Sequence, residues 1–86
     1  MPEISRFYGI VIQMYCGDHP PPHFHARYAD QSAKIDIDAL ALIEGNLPAR
    51  ALGLVMEWTA LHQNELRVAF QKAVNLEAPG KISPLA

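Results

Sequence analysis

The sequence predicts an α+β fold in which a small antiparallel sheet of roughly three to five strands packs against one long C-terminal α-helix. Short β-branched and aromatic runs, separated by turn residues, fill residues 1–46 and indicate strands. Apolar residues then recur at spacings of three and four over residues 48–76, which is typical of a helix. Because the chain changes character only once, near Pro48, we expect a single domain over residues 1–86, with residues 77–86 as a tail.

The first three strands are predicted from short apolar or alternating runs. Residues 4–7 form one such run, and Gly9 allows a tight turn into residues 10–15, which are apolar on both faces. The prolines at residues 20–22 cannot donate to a strand ladder, so they predict a rigid, extended connection. Residues 23–28 then alternate in character and predict the third strand.

The last strands are predicted from a cleaner alternation. In residues 33–38 the apolar side chains of Ala33, Ile35 and Ile37 share one face and charged side chains share the other. This pattern predicts a half-buried antiparallel strand with its charged face to water. Residues 40–44 predict one more short strand before the glycine and asparagine that follow.

The predicted helix carries more apolar surface than one sheet face needs. It begins with Pro48, which suits the first turn of a helix, and its main apolar stripe includes His62. A second apolar set lies off that stripe: Leu54, Trp58, Leu61 and Val68. This set predicts either a partner surface or cover from the tail, and the alternative is that the apolar arc is simply wide.

The composition is typical of a small globular protein. The chain has 86 residues, of which 50% are hydrophobic, a formal net charge of −2, and Cys16 as its single cysteine. One free thiol and a start without a basic, apolar leader predict a cytoplasmic protein, and no apolar run is long enough to span a membrane. The charge does not indicate nucleic-acid binding, although a local basic patch stays open. Because so short a chain has a thin stability margin, we expect a homo-oligomer or a complex with a partner protein.

Histidines and one aspartate gather around the prolines: Asp18, His19, His23 and His25. His23 and His25 are two apart on a predicted strand, so their side chains project to one face roughly 6 to 7 Å apart and both reach one metal ion. The prolines hold Asp18 and His19 in a fixed position nearby, and His62 joins the group if the helix turns it towards the sheet. These residues predict a site for zinc, nickel, iron or a similar divalent transition metal.

The same histidines also suit acid–base catalysis, because imidazole titrates near neutral pH. Arg27 follows His23 and His25 on one strand face, and its planar fork suits a phosphate or a carboxylate. The candidate catalytic residues of a hydrolase or nuclease are therefore His19, His23, His25 and Arg27. A structural or partner-contact role stays open as well, with the imidazoles paired to Asp18 or to the backbone. The sequence does not decide whether the protein is an enzyme.

Several segments resemble a known family. The most specific is Asp-His-Pro-Pro-Pro-His-Phe-His at residues 18–25, and residues 7–10, 42–48, 58–66 and 81–85 are similar as well. On these segments the chain resembles the DUF4160 family of small bacterial proteins, a domain of unknown function. The resemblance covers nearly the whole chain and implies no activity. Because members of the family are often encoded beside a second small protein, it implies a two-gene, toxin–antitoxin-like module with a genomically adjacent partner.

We therefore expect a small cytoplasmic component of such a module that acts through protein–protein contacts, with the histidine segment as its functional edge. The alternative is a metal- or histidine-dependent hydrolase or nuclease that uses His19, His23 and His25.

Overall fold

The protein is a five-stranded antiparallel meander followed by two helices, in a computed structural model that describes residues 2–86. The elements are β1 (Glu3–Phe7), β2 (Ile10–Gln13), β3 (His23–Tyr28), β4 (Gln31–Asp36), β5 (Ala41–Gly45), α1 (Ala49–Leu61) and α2 (Gln63–Val74). Each strand pairs antiparallel with the next, in the order β1-β2-β3-β4-β5. The predicted α+β class and antiparallel sheet are confirmed. No helix within residues 2–86 is long and apolar enough to cross a membrane.

The prediction of one long helix over residues 48–76 is wrong, because the helical segment is interrupted at His62. His62 has φ −123° and ψ 24°, outside helical geometry, and its N–H is shared between the carbonyls of Trp58 and Thr59. Just before it, the Thr59 hydroxyl donates to the Val55 carbonyl over 2.7 Å. Such bonds compete with the helix ladder and bend helices. The apolar spacing runs through this point without Gly or Pro, so periodicity alone does not reveal the break.

Trp58 of α1 is the centre of the hydrophobic core between the sheet and the helices. It is fully buried, and its ring centroid lies 5.3 Å from that of Phe7 on β1 and 5.7 Å from that of Phe24 on β3. Its indole N–H donates to the Ser83 carbonyl over 2.8 Å. The tail therefore covers Trp58, which is not part of an exposed partner surface, whereas Val68 of the same off-stripe set is exposed.

The two faces of the sheet differ as the alternation predicted. Ala33 and Ile35 of β4 are buried in the core, whereas Lys34 between them is half-buried on the opposite face. On that opposite face Gln13 of β2, His25 of β3 and Lys34 of β4 are cross-strand neighbours in one row. This open, polar face is where the side chains of interest lie.

The two outer edges of the sheet differ in whether another segment of the chain covers them. At the β1 edge the tail lies alongside, because the Ile82 N–H donates to the Ile4 carbonyl over 2.8 Å. The Tyr8 hydroxyl also donates to the carbonyl of Ala86 over 2.8 Å. At the other edge, no strand in the described part of the chain pairs with the outer side of β5. The sheet therefore has one covered edge and one open edge.

Candidate metal centre

Asp18, His23 and His25 form one cluster where the proline segment joins β3. Each offers one ligand atom, and these three atoms all lie within 4.8 Å of one another. Asp18 lies in the loop after β2, while His23 and His25 lie at the start of β3 and project to the same side of the strand. The structure thus brings together three of the residues that the sequence predicts as metal ligands.

Backbone hydrogen bonds fix both ends of the loop that carries Asp18. The Gly17 N–H donates to the Ala73 carbonyl of α2 over 2.8 Å, and the Ile37 N–H donates to the Pro22 carbonyl over 2.9 Å. Gly17 has φ +77°, a left-handed conformation that glycine adopts at little cost. Because the prolines between these anchors have a restricted φ, the loop holds Asp18 beside β3 in a defined position.

The His23 imidazole has a hydrogen-bond acceptor at each ring nitrogen. Nδ1 lies 2.7 Å from the Pro21 carbonyl and must carry a proton, since a carbonyl oxygen only accepts. Nε2 lies 2.8 Å from Asp18 Oδ2, which is also an acceptor when the carboxyl group is ionised. At this distance the contact is a hydrogen bond, in which one proton lies between the two atoms. Many histidines that bind a metal through Nε2 donate their Nδ1–H to a backbone carbonyl, which orients the ring.

The His25 imidazole has a ring nitrogen without a partner. Its Nε2 is buried and makes no hydrogen bond within residues 2–86, since Asp18 Oδ2 is 3.8 Å away. Tyr15 packs edge-on against the ring at a centroid distance of 4.3 Å. Burial lowers the pKa of His25, the charges of His23 and Lys34 lower it further, and Asp18 only partly opposes them. His25 is therefore neutral near neutral pH and leaves a buried nitrogen unsatisfied, which is costly.

The Asp18 carboxylate is stabilised in its charged form. Partial burial alone raises its pKa, but the His19 backbone N–H, donated to Oδ1 over 2.9 Å, and the charge of His23 outweigh that effect. The pKa of Asp18 is consequently lowered below its ordinary value. The cluster thus contains a fixed negative charge beside two imidazoles.

The geometry and chemistry of this donor set fit a transition metal. Two imidazole nitrogens and one carboxylate oxygen are common zinc ligands, and in a tetrahedral site with bonds of about 2.0–2.1 Å such atoms lie ~3.3 Å apart. The Nε2–Oδ2 separations are 2.8 Å for His23 and 3.8 Å for His25, one on each side of that value. If these three residues bound a zinc ion, a fourth position would remain for water or a substrate, as in catalytic zinc sites.

The other predicted site residues lie outside this cluster. His19 is exposed and contacts Asp18 only through its backbone N–H. His62 lies at the junction of the helices, where Nδ1 is 2.6 Å from Glu65 Oε1. Arg27 is exposed, on the same face of β3 as His25. The structure therefore leaves His19 and His62 outside the group of three ligand atoms, whereas Arg27 shares the strand face of His25.

Two groups that shape the cluster are not among the residues predicted from the sequence. Tyr15 packs against His25, and the carbonyl of Pro21 orients His23. The pairing of Gln13 with His25 places Tyr15 near the start of β3, so a known strand register would have pointed to it. A backbone carbonyl has no signature in the sequence.

The fold and the cluster define a small α+β protein with a histidine–aspartate site on one face of its sheet. The chain matches the family model described as Domain of unknown function (DUF4160) over residues 9–71, so it belongs to this family. The resemblance seen in the sequence is thereby confirmed, and all three cluster residues lie within the match. The comparison with curated proteins found no match, and the comparison with solved structures found none.

Proposed function

We propose that the protein is a metal-dependent hydrolase, a class that includes nucleases, with a divalent transition metal bound by Asp18, His23 and His25. One observation carries this proposal: the buried Nε2 of His25 has no hydrogen-bond partner, although it belongs to a group of ligand atoms within 4.8 Å of one another. A bound metal ion would give that nitrogen a bond, and it would replace the proton between His23 and Asp18. Zinc and nickel both suit the donor set.

The three side chains have different roles in this proposal. Asp18 supplies the negative charge, since its pKa is lowered. His23 is oriented by the Pro21 carbonyl before a metal binds. His25, which is neutral, needs no deprotonation to become a ligand. These three residues would hold the ion, which would supply polarisation of a carbonyl or phosphoryl group and a more acidic water molecule, the chemistry of hydrolysis.

The metal site is tested by titrating metal-free protein with Co²⁺ and Zn²⁺ and following the absorption bands of Co²⁺. Loss of a residue that only hydrogen-bonds a metal ligand weakens metal binding roughly 10–100-fold. Because His23 and His25 are themselves the proposed ligands, we expect His23→Gln and His25→Gln to weaken binding about a hundredfold or more. His19→Gln is the matched control, because this exposed residue of the same loop lies outside the cluster. Equal affinity in all four proteins, each shown to be folded by circular dichroism, contradicts the proposal.

Chelation separates this mechanism from acid–base catalysis by the same histidines. The metal-dependent mechanism predicts hydrolytic activity that disappears with a chelator and returns with added metal. Activity that survives chelation, but is lost in His23→Gln, contradicts the role of the metal and supports the acid–base alternative.

We also propose that the protein acts through protein–protein contacts, as a cytoplasmic component of a two-gene, toxin–antitoxin-like module. The support is strand β5, whose outer edge is open and whose Leu42 and Ile43 are 38% and 44% exposed. Leu40, just before this strand, is 39% exposed. Because an uncovered edge with apolar side chains favours pairing with another chain, the occupant is a second copy of the protein or the genomically adjacent protein.

Sedimentation velocity at high micromolar concentration tests this contact surface, together with co-purification of the genomically adjacent protein. We expect Ile43→Lys to abolish self-association or partner binding, because it places a charge at the open edge. Val68→Lys is the control, since Val68 is 57% exposed on α2. A wild-type protein that sediments as a monomer and binds no genomic neighbour contradicts this second proposal.

A further inference from the structure

A cavity on the open face of the sheet adjoins the cluster at His25. Its volume is about 280 Å³. It is lined by Gln13 and Tyr15, by His25 and Arg27 of β3, by Asp30 of the following turn, and by the first two residues of β4, Gln31 and Ser32. His25 and Arg27 are two apart on β3, so their side chains project to the same face. A ligand in this cavity therefore contacts both the proposed metal site and the Arg27 guanidinium.

Arg27 has no polar partner of its own in the described part of the chain. Its cross-strand neighbours are Val11 on β2 and Ser32 on β4, and neither carries a charge. By contrast, the arginines of β1 and α2 each pair with a carboxylate. The guanidinium of Arg27 is therefore available to an anionic ligand.

Lys34 adds a second positive charge beside the cavity, because it is the cross-strand neighbour of His25. Two acidic residues are close in the fold: Asp30 lines the cavity, and Glu44 is the cross-strand neighbour of Lys34 on β5. Neither carboxylate forms an ion pair with Lys34 or Arg27 within residues 2–86.

Gln13 supplies an independent sign of a ligand in the cavity. Its Oε1 is buried and has no hydrogen-bond partner among the described residues, and Gln13 is the cross-strand neighbour of His25. A buried amide oxygen without a partner is costly, and a hydroxyl group of a ligand satisfies it. The cavity therefore suits a ligand that carries both an anionic group and a hydroxyl group.

We infer that this cavity binds a phosphodiester, so that the hydrolase proposed above, on which this inference rests, cleaves phosphate esters. A planar guanidinium binds two phosphate oxygens at once, and Lys34 adds a point charge. A sugar hydroxyl beside the phosphate is the donor that Gln13 Oε1 lacks. A carboxylic ester or an amide has no anionic oxygen for Arg27.

The reaction is a hydrolysis and needs only water as co-substrate. A bond forms between a water oxygen and phosphorus, and the bond between phosphorus and one ester oxygen breaks. The leaving alcohol takes up one proton of the water, and the products are a phosphomonoester and that alcohol.

The test compares two substrates of metal-loaded protein, anionic bis(4-nitrophenyl) phosphate and neutral 4-nitrophenyl acetate. We expect Arg27→Gln to raise KM for the phosphodiester at least about tenfold, because a charge-assisted contact is lost, while the rate with the acetate stays unchanged. Arg50→Gln, which changes an exposed arginine of α1 away from this cavity, leaves both rates unchanged. An equal effect of Arg27→Gln on both substrates, or no effect on either, overturns the inference.

Further measurements separate this inference from the metal proposal. Metal titration of Arg27→Gln is expected to match that of the wild type, since Arg27 is not a ligand. Binding of diphenyl phosphate to metal-free protein, followed by NMR, is expected to shift the signals of Gln13 and Tyr15 in the wild type but not in Arg27→Gln. Absence of these shifts overturns the phosphodiester site whether or not a metal binds. Cleavage of a short single-stranded RNA by the loaded protein then distinguishes a nucleic-acid strand from a small diester as the source of the phosphodiester.

Discussion

The burial of His25 couples its protonation to the folding of the protein. Burial, followed by the charge on His23, lowers the pKa of His25 in the folded chain. In the unfolded chain it titrates near its ordinary value of 6.5. Between the lowered folded value and 6.5 the unfolded chain binds more protons than the folded chain. Stability of the metal-free protein therefore decreases as the pH falls through this window, and it is retained above 6.5.

We predict that His25→Gln removes this part of the pH dependence. Urea unfolding in the presence of a chelator, at pH values on both sides of 6.5, measures the free energy of unfolding of each protein. The wild type is expected to lose more stability on acidification than His25→Gln. His19→Gln is expected to behave as the wild type, because His19 is exposed. Parallel pH profiles for the wild type and His25→Gln would contradict the argument.

At the same scale, the sequence predicts which imidazoles meet but not how they are held. The spacing of His23 and His25 places both on one face of β3, as expected. Their contact with Asp18 depends on the path of the proline segment, and the Pro21 carbonyl that orients His23 has no side-chain signature. The position of His62 on the apolar stripe suggests that it faces the sheet histidines. In the structure the helix is interrupted at His62, and its side chain pairs with Glu65 instead.

At the scale of the elements, the alternation of apolar and polar residues was the reliable signal. It identified the buried face of β4, where Ala33 and Ile35 lie in the core. The helical spacing identified the buried face of α1 and α2 but not the break between them. The break depends on local features, the hydrogen bond of the Thr59 hydroxyl and the non-helical backbone at His62, which apolar spacing does not reveal. Strand ends differ by a few residues from the prediction, since hydrogen-bonded pairing ends where the partner strand ends.

Gly45 at the end of β5 offers a test of the sheet edge. It has φ +75°, and a Cβ atom at this position would collide with the carbonyl oxygen of Ser32 on β4. We predict that Gly45→Ala destabilises the protein by about 1–3 kcal/mol, because both the strained backbone and the close approach oppose a side chain. The measurement is urea unfolding monitored by circular dichroism.

Gly53 is the matched control for that substitution. It lies in α1 with nothing within 4 Å of a Cβ atom built on it. Gly53→Ala is therefore expected to stabilise the protein by about 0.4–1 kcal/mol, because alanine reduces the conformational freedom of the unfolded chain. Loss of stability in Gly53→Ala, or none in Gly45→Ala, would contradict this account of the β4–β5 edge.

At the scale of the whole molecule, the helices and the tail leave one face and one edge of the sheet uncovered, and both proposals rest on these surfaces. The tail covers Trp58 and lies beside β1 through Ile82. The open sheet face then presents His25 and Arg27 side by side, while β5 remains an open edge. The proposed catalytic site and the proposed protein-contact surface therefore lie in different parts of the fold, so the two proposals do not exclude each other.

Metal binding at Asp18, His23 and His25 is tested first by elemental analysis of untagged protein, purified without chelator, for the wild type and for His25→Gln. We expect about one zinc, nickel or similar ion per chain in the wild type and a large loss in His25→Gln, which lacks the imidazole Nε2 ligand. A wild type that contains no transition metal and binds none on titration, or a His25→Gln variant with the same metal content, would contradict it.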